Sequence, residues 1–396
     1  MVKQRVVIVG GGFGGIKTAL ELADVPEFDV TLVSDQTDFR YYPMLYRAAT
    51  GGSRAQSTIP LRDIFAGKDV RLVHEQADKI DRTQQQLHTA SGHKLPYDTL
   101  VLALGVITNY FGIKGLERYS YGIKSIEEAT GLKHHLHQQL INEHRPDFNY
   151  VVIGGGPTGV ELAAALPAYI RHIMKLHGIK HRAVHVDLIE AAPRVLPHMP
   201  KDVSRAVAHH LRKIGVKLYL GKSVGGETAH SLMVDKQPIP SSTVVWTAGV
   251  TNHPFFKKNR FSLAPTGKVA VNEYLLAEDH IYVIGDNANT QYSGMAQTAL
   301  HDAVFVASNL LRANGSKTPL PYKPKKPVYV TPAGPHWAAV LWGKVRIYGW
   351  LGWTMRRAAD FIAYHDFEPW WKASKQWMKE NDSEEDCVYC AAASQS

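Results

Sequence analysis

Two glycine-rich turns are the part of this sequence best suited to hold a phosphorylated ligand. One follows the apolar run Val6–Val9 and consists of Gly10, Gly12, Phe13, Gly14 and Gly15. The other follows Tyr150–Ile153 and consists of Gly154, Gly156, Pro157, Thr158 and Gly159. In a G-x-G-x-x-G turn the first glycine makes the tight bend, the second lets a pyrophosphate approach, and the third lets helix and strand pack closely. The sequence therefore predicts two dinucleotide sites, each with its phosphates at a helix N-terminus.

A polar side chain at the end of the next strand decides how each site would hold a ribose. After the second turn this residue is Glu190, whose carboxylate would accept hydrogen bonds from the ribose hydroxyls and repel a 2′-phosphate. That chemistry favours NAD(H) over NADP(H), although His181 and Arg182 upstream keep NADP(H) open. After the first turn the strand is followed by Ser34 and Asp35, and the sequence leaves open which of them contacts the ribose.

The elements that position these turns alternate between strands and helices. Continuous apolar runs such as Val30–Val33 and Thr99–Leu104 are typical of parallel strands covered on both faces. Strand, glycine turn, helix and strand recur 144 residues apart, which indicates a duplicated nucleotide fold. The sequence therefore predicts an α/β protein with two Rossmann-type dinucleotide-binding domains. From Lys317 to Pro335 repeated prolines predict an extended linker rather than a helix, and an aromatic, basic segment follows.

Composition narrows the classes of protein to which the chain can belong. With 396 residues, 45% of them hydrophobic and 20% charged, the chain can bury the cores of two or three domains. The net charge of +9 indicates an anionic partner, such as nucleotide phosphates or lipid headgroups. Only Cys387 and Cys390 occur as cysteines, so a disulfide-built secreted protein is not expected. No apolar stretch approaches the roughly 18 residues of a membrane-spanning helix, and no histidine pattern indicates a metal site.

Further motifs resemble the two-dinucleotide-binding flavoproteins. Leu100–Gly105 and Val244–Gly249 resemble the hinge strands at which the chain of that superfamily crosses between an FAD and an NAD domain, and Ile281–Asp286 resembles its late FAD motif. Within the superfamily, residues 1–312 are most similar to the type II NADH dehydrogenases, which are NADH:quinone oxidoreductases. The stretches that carry this resemblance are Tyr42–Gly51, Thr108–Ile113, Gly154–Glu161, Pro193–Pro197 and Ala296–Ala299.

The resemblance implies FAD-dependent oxidation of NADH, with two electrons passing to a membrane quinone and no proton pumping. It implies a discontinuous FAD domain over residues 1–115 and 250–318, an NAD(H) domain over 116–249, and a C-terminal segment over 319–396. FAD would be bound by the first turn together with Ser34, Asp35, Pro43, Ala103, Gly105, Gly285, Asp286, Ala296 and Gln297. NAD(H) would be bound by the second turn together with Glu161, Glu190, Ala248 and Gly249.

Three side chains are predicted to take part in the reaction. The resemblance places Glu161, on the first turn of the NAD-domain helix, near the flavin and the nicotinamide, where it would orient the nicotinamide or relay a proton. A carboxylate that complements the helix N-terminus is the alternative. Gln297 and His301 share a helix face and are predicted to line the acceptor site. Family members place a second glutamine where this chain has His301, so the chain departs from the family pattern at that position.

The C-terminal segment has the composition of a surface that lies on a membrane. Over residues 351–362 apolar side chains gather on one helix face, opposite Arg356, Arg357 and Asp360. Tryptophans beside cations are typical of a bilayer interface, and residues 345–379 carry Trp350, Trp353, Trp370, Trp371, Trp377, Lys372, Lys375 and Lys379. We expect peripheral attachment to the cytoplasmic face of the cell membrane. Packing on the protein's own core and a homodimer interface are the alternatives.

Two other functions are compatible with the same motifs. An NADH-dependent flavoprotein could pass its electrons to a soluble acidic protein that is steered by the positive charge, or it could act as an NADH sensor. A nucleic-acid partner is not expected, because the basic residues form no recognised DNA- or RNA-binding motif. Disulfide and sulfide reductases are also disfavoured, since both need cysteines beside the flavin and the body of this chain has none.

Overall fold

The computed structural model of the chain describes residues 3–52, 57–142, 147–179 and 183–378. The residues singled out above at positions 181, 182, 379, 387 and 390 lie outside these ranges. Short helices that are not α-helical occur at Tyr42–Met44 and Gly285–Asn287, which are 3₁₀-helices, and at Gln138–Asn142, which is a π-helix.

The first part of the chain contributes most of a parallel sheet with the strand order β9-β1-β2-β5. Its central strand is buried on both faces, with Val6 and Ile8 in one apolar cluster and Val7 and Val9 in another. The elements of this part are β1 (Gln4–Val9), α1 (Phe13–Leu22), β2 (Phe28–Ser34), β3 (Asp38–Arg40), α2 (Leu45–Ala49), β4 (Thr58–Pro60), α3 (Leu61–Ile64), β5 (Val70–His74), β6 (Ala77–Asp81), β7 (Gln86–Thr89), β8 (Lys94–Pro96), β9 (Thr99–Leu102), β10 (Val106–Thr108) and α4 (Leu116–Tyr119).

The middle of the chain forms a second parallel sheet with the order β13-β12-β11-β17. Its central strand is again fully buried, and Val152 lies between Leu188 and Val245. The elements are α5 (Ile126–His137), β11 (Tyr150–Ile153), α6 (Pro157–Leu176), β12 (Val186–Glu190), α7 (Lys201–Lys213), β13 (Val216–Leu220), β14 (Val224–Thr228), β15 (Ser231–Val234), β16 (Gln237–Pro240) and β17 (Thr243–Trp246).

The last part of the chain returns to the first sheet and then forms a smaller unit. Two strands extend the first sheet beyond β9 in the order β19-β20-β9. The elements are β18 (Val250–Asn252), α8 (Pro254–Lys258), β19 (Leu276–Glu278), β20 (Ile281–Val283), α9 (Ala296–Asn314), β21 (Tyr329–Pro332), β22 (Ala338–Trp342), β23 (Val345–Gly349), α10 (Trp350–His365) and α11 (Trp370–Met378).

A short antiparallel pair, β10 with β18, forms the crossing between the two parallel sheets. Asn287 is fully buried there, and its Nδ2 atom donates to the Gly105 carbonyl and to Asn252 Oδ1, both at 2.6 Å. Its Oδ1 atom accepts from the Gly105 N–H at 2.8 Å. Since a buried amide is stable only when its polar atoms are bonded, these contacts fix the crossing beside the first glycine turn.

The predicted fold class is confirmed: two Rossmann-type sheets each carry one glycine turn at the end of a central strand. Two local expectations need correction. The helix α6 begins at Pro157, so Glu161 lies on its second turn and not on the first. The proline-rich segment is extended as predicted, but its end, Tyr329–Pro332, pairs as a strand with β22 in a small antiparallel sheet.

The helix α10 turns its charged face toward the protein, which the sequence pattern alone did not indicate. Arg356 and Asp360 are only 7% and 1% exposed, whereas Trp350, Leu351 and Ile362 are 65%, 55% and 61% exposed. Close packing on the small sheet explains this orientation, because a Cβ atom at position 352 would lie 2.3 Å from the Ala338 carbonyl oxygen. Trp350, Leu351 and Ile362 therefore point away from the protein, whereas Tyr364, near the end of the helix, is buried.

Candidate active site

The first glycine turn has the shape that a bound pyrophosphate requires. Gly10 adopts a φ of +116°, and a Cβ atom there would lie 2.2 Å from the Ala103 carbonyl oxygen. A Cβ atom on Gly15 would lie 1.9 Å from the Gly10 carbonyl oxygen, so the helix approaches the turn closely. At Gly12, the residue before α1, no atom would lie within 4 Å of a Cβ. The turn is packed on the protein side and open at the helix N-terminus, which fits a dinucleotide phosphate.

The second glycine turn repeats this geometry. Gly154 has a φ of +110° and lies against Ala248, and a Cβ atom on Gly159 would lie 1.8 Å from the Gly154 carbonyl oxygen. Gly156, directly before α6, again faces open space, and Pro157 occupies the first helical position. The hydroxyl of Thr247 donates to the Ile153 carbonyl at 2.7 Å and holds the hinge strand against the turn.

Glu190 is held beneath the second turn by two backbone N–H groups. One carboxylate oxygen accepts from Gly155 N at 2.6 Å and the other from Ala192 N at 2.7 Å. Ser34 takes the corresponding place in the first sheet, because a Cβ atom on Gly11 would lie 2.6 Å from its hydroxyl oxygen. Ser34 is buried, whereas Asp35, one residue further, is exposed. The geometry favours Ser34 for the ribose contact that the sequence left open.

Charged groups that are removed from water gather at the end of β20. Burial raises the pKa of Asp286, against the opposing effects of Lys268 and Lys124. Burial also lowers the pKa of each of these two lysines. Gly285 has a φ of +66° and donates its N–H to the buried Asp302 carboxylate at 2.9 Å. Lys124 and Lys268 could neutralise phosphate groups, and Asp286 could accept hydrogen bonds from hydroxyl groups. Together with the first glycine turn, these residues fit a phosphorylated, hydroxyl-bearing cofactor such as FAD.

Glu161 lies on the second turn of α6, where burial raises its pKa to about 8 and the positive charge of Arg356 opposes the rise. The carboxyl group is therefore protonated at neutral pH and can donate a proton. Its position on the second turn weakens the alternative role as a helix N-terminal charge, since that effect is confined to the first turn.

A cavity of about 480 Å³ lies between α2, α6, the turn after β21, and α10. Ala165, one helical turn after Glu161, is part of its wall, and so is Arg356. We infer that the inner end of the cavity points toward Glu161. The aromatic and basic residues that line it are Tyr46, Arg47, Tyr169, His172, His336, Trp353, Arg356 and Arg357.

Gln297 and His301 contact the proline-rich segment and do not line this cavity. The Gln297 amide donates to the Val328 carbonyl at 2.9 Å and accepts from its N–H at 3.0 Å. The Nε2 atom of His301 lies 2.9 Å from the Lys323 carbonyl oxygen. Their role at the acceptor site remains a prediction. Gln297 and Ala296 still offer N–H groups at the start of α9, where a helix has no internal acceptors for them.

Several residues that shape the site were missed by sequence reasoning. The buried pair Arg356–Asp360 on α10 reaches the loop before α2, where Tyr41 donates its hydroxyl to Asp360 at 2.6 Å and Pro43 accepts from Arg356 at 3.2 Å. Asp302 joins the Gly285 turn to the hydroxyl of Tyr322 at 2.6 Å. Of the residues around Asp302, only Gly285 and Asp286 belong to a motif that the sequence analysis identified, the late FAD motif Ile281–Asp286.

Within the ranges that the structure describes, no group of three or more His, Cys, Asp or Glu side chains could hold a metal ion.

The fold and the two turns together define an oxidoreductase of the two-dinucleotide-binding class. The profile of the pyridine nucleotide-disulphide oxidoreductase family matches residues 4–303. The type II NADH:quinone oxidoreductase Ndh of Mycobacterium tuberculosis is 31% identical over an alignment of 337 residues, gaps included, that covers 78% of this chain and 72% of the relative. The chain therefore belongs to the pyridine nucleotide-disulphide oxidoreductase family and, within it, to the type II NADH:quinone oxidoreductases.

Other similarities agree with this assignment. The type II NADH:quinone oxidoreductase of Staphylococcus saprophyticus is 27% identical over 301 residues, covering 72% of this chain and 74% of the relative. The fold also matches that of NDH2 from Plasmodium falciparum, solved in complex with NADH, with a TM-score of 0.86. That match covers 96% of this chain and 97% of the other at 17% identity.

Proposed function

We propose that this protein oxidises NADH through a bound FAD and passes two electrons to a quinone, without pumping protons. The observation that carries the proposal concerns α6: Glu161, whose pKa burial raises to about 8, lies between the second glycine turn and Ala165, which lines an aromatic cavity. Relatives named as type II NADH:quinone oxidoreductases support the same activity. The chemistry that bound FAD would supply is acceptance of a hydride from NADH and delivery of two electrons to the second acceptor.

The residues of the first sheet would bind the cofactor and exclude water from it. The open N-terminus of α1 after Gly12 would hold the pyrophosphate, and Ser34 would contact the adenosine ribose. Asp286 would accept hydrogen bonds from hydroxyl groups, with Lys124 and Lys268 balancing the negative charges nearby. The N–H groups at the start of α9 would donate to carbonyl oxygens of the flavin ring.

The residues of the second sheet would bind NADH. The N-terminus of α6 after Gly156 would take the pyrophosphate, and Ala248 and Gly249 would lie along the nicotinamide half. Glu190, fixed by two N–H groups, would accept hydrogen bonds from the ribose hydroxyls. Its negative charge would repel the 2′-phosphate of NADPH.

Replacing Glu190 with Gln should relax the choice of nucleotide. We expect the ratio of kcat/KM for NADPH to that for NADH to rise about tenfold, because the repelling charge is removed. Steady-state assays with each nucleotide would measure this ratio. Glu273→Gln, an exposed acid outside both turns, is the matched control and should leave the ratio as it is. An unchanged ratio in the Glu190 variant would show that another residue selects NADH.

Quinone-dependent NADH oxidation by the FAD-loaded protein tests the proposed function directly. Rapid turnover with a short-chain quinone is the expected result. Bleaching of the flavin by NADH with no turnover would instead favour a soluble protein acceptor or an NADH-sensing role.

We also propose that the exposed side of α10 and α11 attaches the protein to the membrane from the cytoplasmic face. Trp350, Leu351 and Ile362 of α10 are exposed, as are Trp370 and Trp371 of α11. No helix among the described residues is both long and apolar enough to cross a bilayer. Trp353 lines the cavity and lies about one helical turn after the exposed Trp350. The cavity would therefore lie close to the lipid-facing side of α10, and a quinone would enter it from the lipid.

Replacing both Trp370 and Trp371 with Ser should weaken membrane binding about tenfold, because two interfacial aromatic side chains are lost. Co-sedimentation with vesicles of phosphatidylglycerol and phosphatidylcholine would measure it. Phe148→Ser, an exposed apolar residue before β11, is the control. If the double variant still binds vesicles but loses self-association, the surface is a homodimer interface.

A further inference from the structure

The proline-rich segment, residues 317–335, is held along α9 by side chains of that helix. Residues 317–328, all of which the structure describes, form neither a helix nor a strand, so side chains bond much of their backbone. The Asn309 amide donates to the Leu320 carbonyl at 2.9 Å and accepts from the Leu320 N–H at 2.9 Å. The other α9 side chains that bond backbone atoms of the segment are Gln297, His301 and Arg312.

Tyr322 anchors this segment to the buried side of α9. Its backbone N–H donates to the Glu273 carbonyl at 2.7 Å. Its ring lies edge-on to that of Phe305, with 5.1 Å between the ring centres. Its hydroxyl donates to Asp302 at 2.6 Å, and Asp302 is fully buried. A hydrogen bond to a buried carboxylate is stronger than one between neutral groups, so this hydroxyl contributes strongly to holding the segment in place.

The other oxygen of Asp302 holds the turn that follows β20. It accepts from the Gly285 N–H at 2.9 Å, and Gly285 has a φ of +66°. The Ser293 hydroxyl donates to the Gly285 carbonyl at 2.8 Å, so both polar backbone atoms of this glycine are bonded by side chains. The next residue is Asp286, for which a contact with FAD is proposed above. Asp302 is therefore bonded both to the proline-rich segment and to the turn that would hold the cofactor.

We propose that the Asp302–Tyr322 pair couples docking of the proline-rich segment on α9 to the binding of FAD at the Gly285–Asp286 turn. Docked Tyr322 fixes Asp302, and Asp302 fixes the turn in the conformation in which Asp286 meets the cofactor. Coupling between two binding events is reciprocal, so bound FAD holds the segment against α9 by the same factor. Both members of the pair are positioning residues. This inference rests on the FAD binding of the proposed function and is independent of the electron acceptor.

Tyr322→Phe tests the coupling, because it removes the hydroxyl and keeps the ring that packs on Phe305. FAD is removed from the purified protein and added back, and quenching of its fluorescence measures the dissociation constant. We expect this constant to rise about tenfold in the variant, because the turn is held less firmly before FAD binds. Tyr329→Phe removes a hydroxyl further along the same segment, in β21, and is the matched control. It should bind FAD as the parent does.

Cleavage by trypsin measures the reciprocal effect of FAD on the segment. Lys325 is exposed and lies close to Tyr322 in the chain. The lysines at positions 323 and 326 each precede a proline, which blocks trypsin, so the cut after Lys325 reports local opening of the segment. Saturating FAD should slow this cut about tenfold in the parent and in Tyr329→Phe, but only slightly in Tyr322→Phe. The cut after Lys236, an exposed residue between β15 and β16, is the internal control for general protection.

A purely structural role of the pair predicts different results. Tyr322→Phe would then be cut faster by the same factor with and without FAD, and its FAD dissociation constant would match that of the parent; either result overturns the coupling. If the variant does not fold, the parent still decides, because equal protection of the Lys325 and Lys236 cuts by FAD overturns the coupling as well. Failure of the parent to bind FAD would overturn the proposed function together with this inference. Normal FAD binding without coupling leaves the proposed function in place.

Discussion

The Glu161→Gln variant is expected to lose about 10²-fold in quinone-dependent turnover while folding normally and retaining FAD. A glutamine has the size of the protonated carboxyl group but cannot release a proton. Reduction of a quinone needs protons at the cavity as well as electrons. The rate at which NADH bleaches the flavin should change much less than the rate at which quinone restores its colour, and stopped-flow absorbance separates these two steps.

The pH dependence of turnover should report the same group. Burial raises the pKa of Glu161 to about 8, so the carboxyl group is protonated at neutral pH and ionises as the pH passes through that value. Quinone-dependent turnover should therefore fall as the pH rises through about 8, and the decrease should be absent in Glu161→Gln.

The same group affects stability. Since the folded state holds this proton more tightly than the unfolded state, Glu161 also destabilises the fold as the pH rises from its ordinary pKa toward 8. The Gln variant should be at least as stable as the parent at alkaline pH.

Glu227 provides a matched control for this experiment. It is also a glutamate whose pKa burial raises to about 8, but it lies on β14 and not on α6, the helix that forms one wall of the cavity. Glu227→Gln should leave turnover and its decrease near pH 8 unchanged. If both variants lose the alkaline decrease, or if Glu161→Gln keeps full turnover, Glu161 has no part in proton delivery.

The two nucleotide turns could be predicted from the sequence because their physical requirements are local. Gly10 and Gly154 adopt positive φ angles, which favour glycine. Gly15 and Gly159 lie too close to the carbonyl oxygens of Gly10 and Gly154 to carry a side chain, and the two residues of each pair are only five positions apart. A buried strand before the turn and a helix after it are also visible in the sequence. The fold class followed from finding this local unit twice.

The cavity could not be predicted in the same way, because its walls come from distant segments. α2, α6 and α10 meet only in the folded protein, and the spacing of Arg47, Tyr169 and Arg356 in the chain carries no signal of it. Gln297 and His301 share a helix face as predicted. Their partners, Val328 and the Lys323 carbonyl, could not be deduced without knowing where the proline-rich segment runs.

The orientation of α10 shows a further limit of pattern reading. A helix with one apolar and one charged face has the same sequence pattern whichever face is buried. Here Tyr41, which donates to Asp360, and Pro43, which accepts from Arg356, decide that the charged face is buried. Those contacts join residues more than 300 positions apart, so the pattern within the helix could not reveal them.

Replacing Asp360 with Asn is expected to have the largest effect on stability, lowering the free energy of unfolding by about 3 kcal/mol. The carboxylate of Asp360 is the buried partner of Arg356 and accepts from the Tyr41 hydroxyl. Its loss leaves the guanidinium without the charge that offsets it in a low-dielectric environment. Denaturant unfolding of the FAD-loaded protein would measure the change. Arg346→Gln, which removes a half-exposed ion pair with Asp202, is the control and should cost less than about 1 kcal/mol.

The double variant Arg356→Met with Asp360→Leu separates stability from function. Replacing a buried ion pair with apolar side chains of similar size often restores stability, so the double variant should unfold at a higher denaturant concentration than Asp360→Asn. Arg356 lowers the pKa of Glu161, so its removal should move the alkaline decrease in turnover to higher pH. In Asp360→Asn the guanidinium charge is no longer offset, and the decrease should move to lower pH. Shifts in the same direction, or no shift in either variant, would show that the pair supports the fold and does not tune Glu161.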